Sequence, residues 1–297
     1  MENEYKTGDS NQITRDYFDS LLLELRQIDS VIPDTEFELY GENFSTPIMT
    51  AALSHLNNTH PEGMTELARG AEAADAVMWV GMGDKEELES IISTGAKTIK
   101  IIKPYADNNM IFDKIEHAEK NGALAVGMDI DHAFNNKGEP DNVAGFTMSA
   151  KTIEEIKSYI SATKLPFIIK GVLSEQDAYK CIEVGAEGIV VSHHHGIQDF
   201  AVPPLMLLPK IAEVVNNRIP IFVDCSISSG MDAFKALALG ANAVSVGRGL
   251  MAPLGDRGAQ GVQQKIKEMT EELSAAMART CSEDLMNIEA SVIHIIE

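Results

Sequence analysis

Cysteine is scarce in this chain. The three residues, Cys181, Cys225 and Cys281, are scattered and odd in number. That excludes a disulfide framework and a cysteine-built zinc site, and it leads us to expect a reducing, cytoplasmic setting. Positive charge is also short: 24 Lys and Arg stand against 45 Asp and Glu, a formal net charge of −21. Such a field repels nucleic acid and anionic membrane, so neither is expected as a partner. An anionic ligand would need a local positive pocket. No apolar run approaches the roughly 20 residues of a membrane-spanning helix. Residues 1–11 are polar and acidic, without the basic-then-apolar pattern of a signal peptide.

What is present is a rhythm. Short apolar runs recur at 47–52, 76–82, 98–103, 123–130, 167–171, 188–192, 219–224 and 243–247. They are rich in Val and Ile without clean alternation, as befits strands buried on both faces. Amphipathic stretches lie between them, among them 84–94, 111–121, 175–184 and 231–239. A Gly-Ala pair precedes a strand four times, at Gly95, Gly122, Gly185 and Gly240. Glycine suits the left-handed residue that ends a helix. Eight β-then-α units predict a single-domain α/β fold, a (β/α)8 TIM barrel, with a doubly wound open sheet as the alternative. The length of 297 residues suits one such barrel. We read 1–35 as an N-terminal helical segment, with a helix over 13–28, and 36–297 as the barrel, closed by a helix over 258–279. The polar loop 132–150 reads as a lid or a disordered segment.

Barrel chemistry sits at the C-terminal ends of the strands. Lys170 ends one run and is a candidate cation for an anionic cofactor. Ser192 and His193–His195 end another, and histidine is the usual general base near neutral pH. Adjacent residues at a strand end diverge, so three consecutive histidines do not converge on one ion, and no metal is expected. Asp224 to Ser228 lead into a helix, and Gly247 and Arg248 follow the last strand. Small residues with free N–H groups beside a helix start, helped by an arginine, make an anion cradle at the positions where this fold holds phosphate.

These segments resemble the FMN-dependent α-hydroxy-acid oxidases and dehydrogenases. The matching stretches are KGV at 170–172, GIVVSHHHGIQ at 188–198, DCSISSGMD at 224–232, KALALGA at 235–241 and GR at 247–248. Weaker matches, such as YGENF at 40–44 and HPEG at 60–63, extend the resemblance from about residue 40 to 261. The resemblance implies FMN as cofactor, its phosphate on the backbone of Cys225, Ser226, Ile227, Ser228, Gly247 and Arg248. It places Lys170, Ser192 and Asp224 in the flavin seat. It implies His194 as the base that takes a substrate hydroxyl proton, with Asp131 orienting it. It also implies a homo-oligomer, a tetramer. The departures fall on the substrate side. The family's carboxylate-binding arginine becomes Ile197, its active-site tyrosine Lys103, a flavin-contacting glutamine Ile101, a threonine Asp129 and a cradle arginine Ser228. Lys103, His193, His195 and Lys137 stand as the candidates to replace the lost charge. The expected activity is oxidation of a hydroxyl-bearing, 2-hydroxy-acid-like small molecule. The alternatives are an FMN-dependent isomerase of the type 2 isopentenyl diphosphate kind and a non-catalytic FMN- or phosphate-binding barrel.

Overall fold

A computed structural model describes residues 6–296. Eight parallel strands run as β1 (Ile48–Thr50), β2 (Met78–Val80), β3 (Thr98–Ile102), β4 (Ala125–Asp129), β5 (Phe167–Val172), β6 (Gly188–Val191), β7 (Ile221–Val223) and β8 (Ala243–Val246). They pair in the ring order β1-β8-β7-β6-β5-β4-β3-β2. The ring closes between β1 and β2, where Thr50 N donates to Val77 O at 3.1 Å and Gly81 N to Leu53 O at 2.6 Å. The barrel, rather than the open sheet, is the fold.

Each strand is followed by a helix: α1 (Gly63–Ala73), α2 (Lys85–Ile92), α3 (Asn108–Lys120), α4 (Ile153–Ser161), α5 (Glu175–Val184), α6 (Pro204–Val215), α7 (Gly230–Ala238) and α8 (Met251–Ala278). All four glycines of the repeated Gly-Ala pair are left-handed, with φ of 91, 80, 84 and 111°. The last helix begins earlier than the expected 258 and breaks at Gly258, where φ is 55°.

The expected helix over 13–28 is shorter. It spans Ser10–Ser20 and then gives way to a strand, Leu21–Leu23, paired antiparallel with Ile293–Ile295. Three consecutive leucines read as a helix face, but here alternate residues turn inward and outward along an extended edge. The loop after β4 is ordered. It carries a 3-10 turn, Asp131–Ala133, and a small hairpin of Asn142–Val143 with Phe146–Thr147.

Strand parity places the site. The barrel interior is filled by Met49, Trp79, Ile101, Ile168, Val190 and Phe222, with Trp79 and Phe222 meeting edge to face at 5.3 Å. Side chains two residues apart share a face. Stepping up by two from the inner layer gives Lys103 above Ile101, Lys170 above Ile168, Ser192 above Val190 and Asp224 above Phe222. Asp129 reaches the same height on β4. The apolar plug thus ends in a polar floor at the C-terminal mouth.

Candidate active site

The floor is a network of buried charges. Asp129 is at its centre, with 4% of its side chain exposed, and it accepts from Lys103 Nζ at 2.7 Å. Lys170 Nζ lies 3.8 Å from Asp129 Oδ1 and 3.4 Å from Asp224 Oδ2. The pairing follows from register: Lys170 is level with Asp129 on β4 and with Val190 on β6. Burial alone would push the Asp129 carboxyl up, but Lys170, His194 and Lys103 hold it well below the usual carboxylate range. Burial likewise works against a charged Lys170, and the carboxylates of Asp129, Asp224 and Asp131 outweigh it and raise its pKa.

After Lys170 the register slips at a bulge, and Gly171 takes φ 95°. A Cβ there would stand 2.6 Å from Asp131 Oδ2, so glycine makes room for that carboxylate. His194 has φ 48°, and its own N–H donates to Ser192 Oγ at 3.0 Å. Its Nδ1 lies 2.8 Å from Asp131 Oδ1 and 3.2 Å from Asp129 Oδ1. Carboxylates only accept, so Nδ1 carries the proton and Nε2 of the neutral ring carries the lone pair. Burial and Lys170 oppose protonation of His194, yet Asp129 and Asp131 raise its pKa above the ordinary value. Asp131, buried and beside Asp129, is itself pushed up to about 6, and its Oδ2 has no hydrogen-bond partner.

Two residues that sequence reasoning missed complete this side. His132 Nε2 lies 3.1 Å from His194 Nε2, and His132 Nδ1 lies 3.0 Å from Asp141 Oδ2. Asp129, Asp131, His132 and His194 bring ligand-type atoms within 4.8 Å of one another. The cations that balance the cluster are the ammonium groups of Lys103 and Lys170.

Beside the network lies a cavity of about 490 Å³, within the usual size range of small-molecule sites. Lys170 and His194 line one part of it, and Ala51, Ala52 and Leu53 give it an apolar wall. Ser226, Ile227, Ser228, Gly247 and Arg248 line another part. Cys225 and Ser226 both adopt left-handed backbone, φ 67 and 62°, the kind of turn that aims successive N–H groups at one point. Among the described residues, none accepts a hydrogen bond from the backbone N–H of Ser226, Ile227 or Gly247. The N–H groups of Ser228 and Ser229 are taken by Asp232 Oδ2, at 3.0 and 3.2 Å.

Arg15, from the N-terminal helix, also lines this part, a residue that nothing in its own sequence neighbourhood marks. Its Nη1 donates to Ser226 O at 3.3 Å and its Nη2 to Asp232 Oδ1 at 3.0 Å. Three unspent N–H groups and the Arg248 guanidinium fit a phosphate, with Arg15, paired to Asp19 and Asp232, beside them. The lysine and the apolar wall fit the ring system that FMN carries. The residues present therefore fit FMN.

The other expected substrate residues are dispersed. His193 is buried, its Nε2 2.7 Å from Thr14 Oγ1 and its Nδ1 accepting from Gly196 N at 2.9 Å. It braces the N-terminal helix and does not line the cavity. His195 is at the rim, its ring bonded to Asn11. Lys137 is on an exposed turn and shares a separate cavity of about 300 Å³ with Ile197 and Asp141. Lys103 is in the floor, but its charge is spent on Asp129.

The chain matches the FMN-dependent dehydrogenase family over residues 1–154 and 149–295, and it belongs to that family. It is an FMN-dependent oxidoreductase. Glycolate oxidase 3 of Arabidopsis thaliana is 30% identical over 326 residues, spanning 96% of this chain and 88% of the relative. L-lactate oxidase of Lactobacillus jensenii is 31% identical over 310 residues, spanning 94% and 75%. A mandelate oxidase variant with the monooxide FMN adduct superposes with a TM-score of 0.89 at 29% identity, covering 98% of this chain and 92% of that one.

Proposed function

We propose that the chain oxidises the hydroxyl of a 2-hydroxy-acid-like small molecule, with His194 as general base and Asp131 as its orienting partner. The observation that carries this is His194: its Nδ1 proton is held 2.8 Å from Asp131 Oδ1, which leaves Nε2 to accept. FMN, when bound, supplies the hydride acceptor. Arg15, Arg248 and the free N–H groups of 226, 227 and 247 hold its phosphate. Ser192 and Asp224 fix Lys170, whose positive charge faces the cavity. As His194 gains the hydroxyl proton, Asp131 and Asp129 stabilise the imidazolium, and His132 Nε2 stands ready to accept its new N–H. The oxidase relatives favour net oxidation over the isomerase and non-catalytic readings.

Replacing His194 by Asn tests the assignment. We expect flavin to remain bound and its anaerobic reduction by substrate to slow by about 10²–10⁴-fold, the usual contribution of a positioned base. Reduction at the wild-type rate would remove His194 from the role.

The same reading includes a homo-oligomer, a tetramer by the family resemblance, in the cytoplasm. Three free cysteines support the reducing compartment. Exposed Leu25, Ile28, Ile32 and Met286 offer apolar side chains that such an assembly would bury. Light scattering on the purified protein decides the assembly, and a monomer refutes it.

A further inference from the structure

We propose that the substrate is a neutral 2-hydroxy carbonyl compound, an ester or amide of a 2-hydroxy acid, and not the free acid. This rests on the hydroxyl-oxidation reading above and names the substrate class of that same site.

Two ammonium groups face His194 from the barrel, Lys103 on the loop after β3 and Lys170 on β5. Four carboxylates face them: Asp129 on β4, Asp131 and Asp141 after it, and Asp224 after β7. Lys103 is committed to Asp129 at 2.7 Å, and Lys170 lies between Asp129 and Asp224 at 3.8 and 3.4 Å. Asp141 is held by His132 at 3.0 Å. Even with Asp131 protonated, the carboxylates outnumber the ammoniums.

Against burial and Lys170, Asp129 and Asp131 raise the pKa of His194, the base, whereas the neighbouring histidines are held toward the neutral form. Burial, then the nearby Lys103, holds His132 below its ordinary pKa. Burial does the same to His193, which faces Thr14. Partial desolvation and the adjacent Arg248 lower His195 at the rim. Lys151 is occupied by Tyr105 O, Asn108 Oδ1 and Ser149 Oγ. Lys137 stands on an exposed turn, in a cavity shared with Asp141. Arg15 and Arg248 belong to the phosphate cradle. Ile197, where the resemblance sets the family's carboxylate-binding arginine, lines the smaller cavity with Lys137 and Asp141 and brings no charge.

A carboxylate brought beside Asp129, Asp131 and Asp224 would meet floor ammonium groups already paired to those carboxylates, a costly arrangement. A neutral carbonyl meets the opposite situation. An ammonium has three N–H groups. Lys170, which lines the cavity between Asp129 and Asp224, presents donors whose charge those carboxylates already balance. Such a site selects the uncharged partner through the repulsion it holds against the charged one. The step balances as before. The substrate O–H proton goes to His194, the carbon-bound hydrogen leaves with its electron pair to bound FMN, and C–O becomes C=O.

The test uses the flavin-loaded protein under anaerobic conditions. Flavin reduction is followed with glycolate, lactate and mandelate, each beside its methyl ester and its amide. We expect the ester or amide to reduce flavin with at least tenfold higher efficiency than its acid. Greater efficiency of the free acid in every reactive series would overturn the inference and leave the oxidation reading standing. No reduction by any acid, ester or amide would overturn both. Binding of oxalate against oxamide, read from perturbation of the flavin spectrum, needs no turnover. Tighter oxamide binding supports the inference, and tighter oxalate binding overturns it.

Discussion

Replacing Asp129 by Asn removes one charge and almost no volume. It leaves Lys103, with its side chain 11% exposed, and Lys170, 7% exposed, without the carboxylate between them. At an effective dielectric constant of about 20, the attractions at these separations are roughly 6 and 4 kcal/mol, and desolvation takes back much of both. What matters is the asymmetry. Removing one member of a buried charge pair costs about 3–5 kcal/mol, because the partner stays buried and unpaired. Urea unfolding of the flavin-free protein at pH 7 should show that loss. The double variant Asp129→Asn with Lys103→Met should recover part of it, since an apolar side chain of similar size carries no unmet charge.

The pH dependence has a definite sign. The folded Asp129 carboxyl is depressed, so its contribution is present above the unfolded value near 4 and is lost as pH falls toward its folded value. The gap between wild type and variant should narrow below about pH 4. A loss under about 1 kcal/mol at pH 7 would refute the claim that Asp129 is the hub of the floor.

Two further perturbations probe the seat and the base. Arg15→Gln should weaken FMN binding by roughly ten- to a hundredfold, the worth of one hydrogen bond to a charged group, as read by flavin fluorescence; unchanged affinity would detach the N-terminal helix from the phosphate. Gly171→Ala places a Cβ 2.6 Å from Asp131 Oδ2 at φ 95°. It should cost about 1–3 kcal/mol in unfolding and slow flavin reduction while flavin stays bound, and reduction at the wild-type rate would mean that the bulge does not set Asp131.

Much of the fold was legible because burial on both faces leaves a strong trace. All eight barrel strands lie within or beside the apolar runs, and helix α5 falls on 175–184 as read. The failures are at edges. Leu21–Leu23 is apolar enough for either a helix face or a paired edge, and the partner that decides it, Ile293–Ile295, lies some 270 residues on. The loop 132–150 reads as a lid or a disordered segment because its order comes from a hairpin of two-residue strands and from Tyr105 bridging Met148, neither of which leaves a periodic signal.

The site was legible where one segment supplies one role, as in the cradle of 225–228 or the run ending at Lys170. It was not legible where a role is shared across distance. Arg15 reaches Asp232 from 217 residues away, and His132 meets His194 from 62. Lys103 and Asp129 are the instructive case. Read singly, each is a departure from the family, and Lys103 looks like a cation free to replace a lost arginine. Yet β3 and β4 pair Ile101 with Gly127 and Ile102 with Met128, so the next residues up, Lys103 and Asp129, fall opposite each other. Register links the two departures: a lysine and an aspartate stand opposite each other and their charges cancel. Lys103 therefore enters the floor with its charge already paired to Asp129. The question the sequence left open, what balances a substrate carboxylate, is better put as whether the substrate has one.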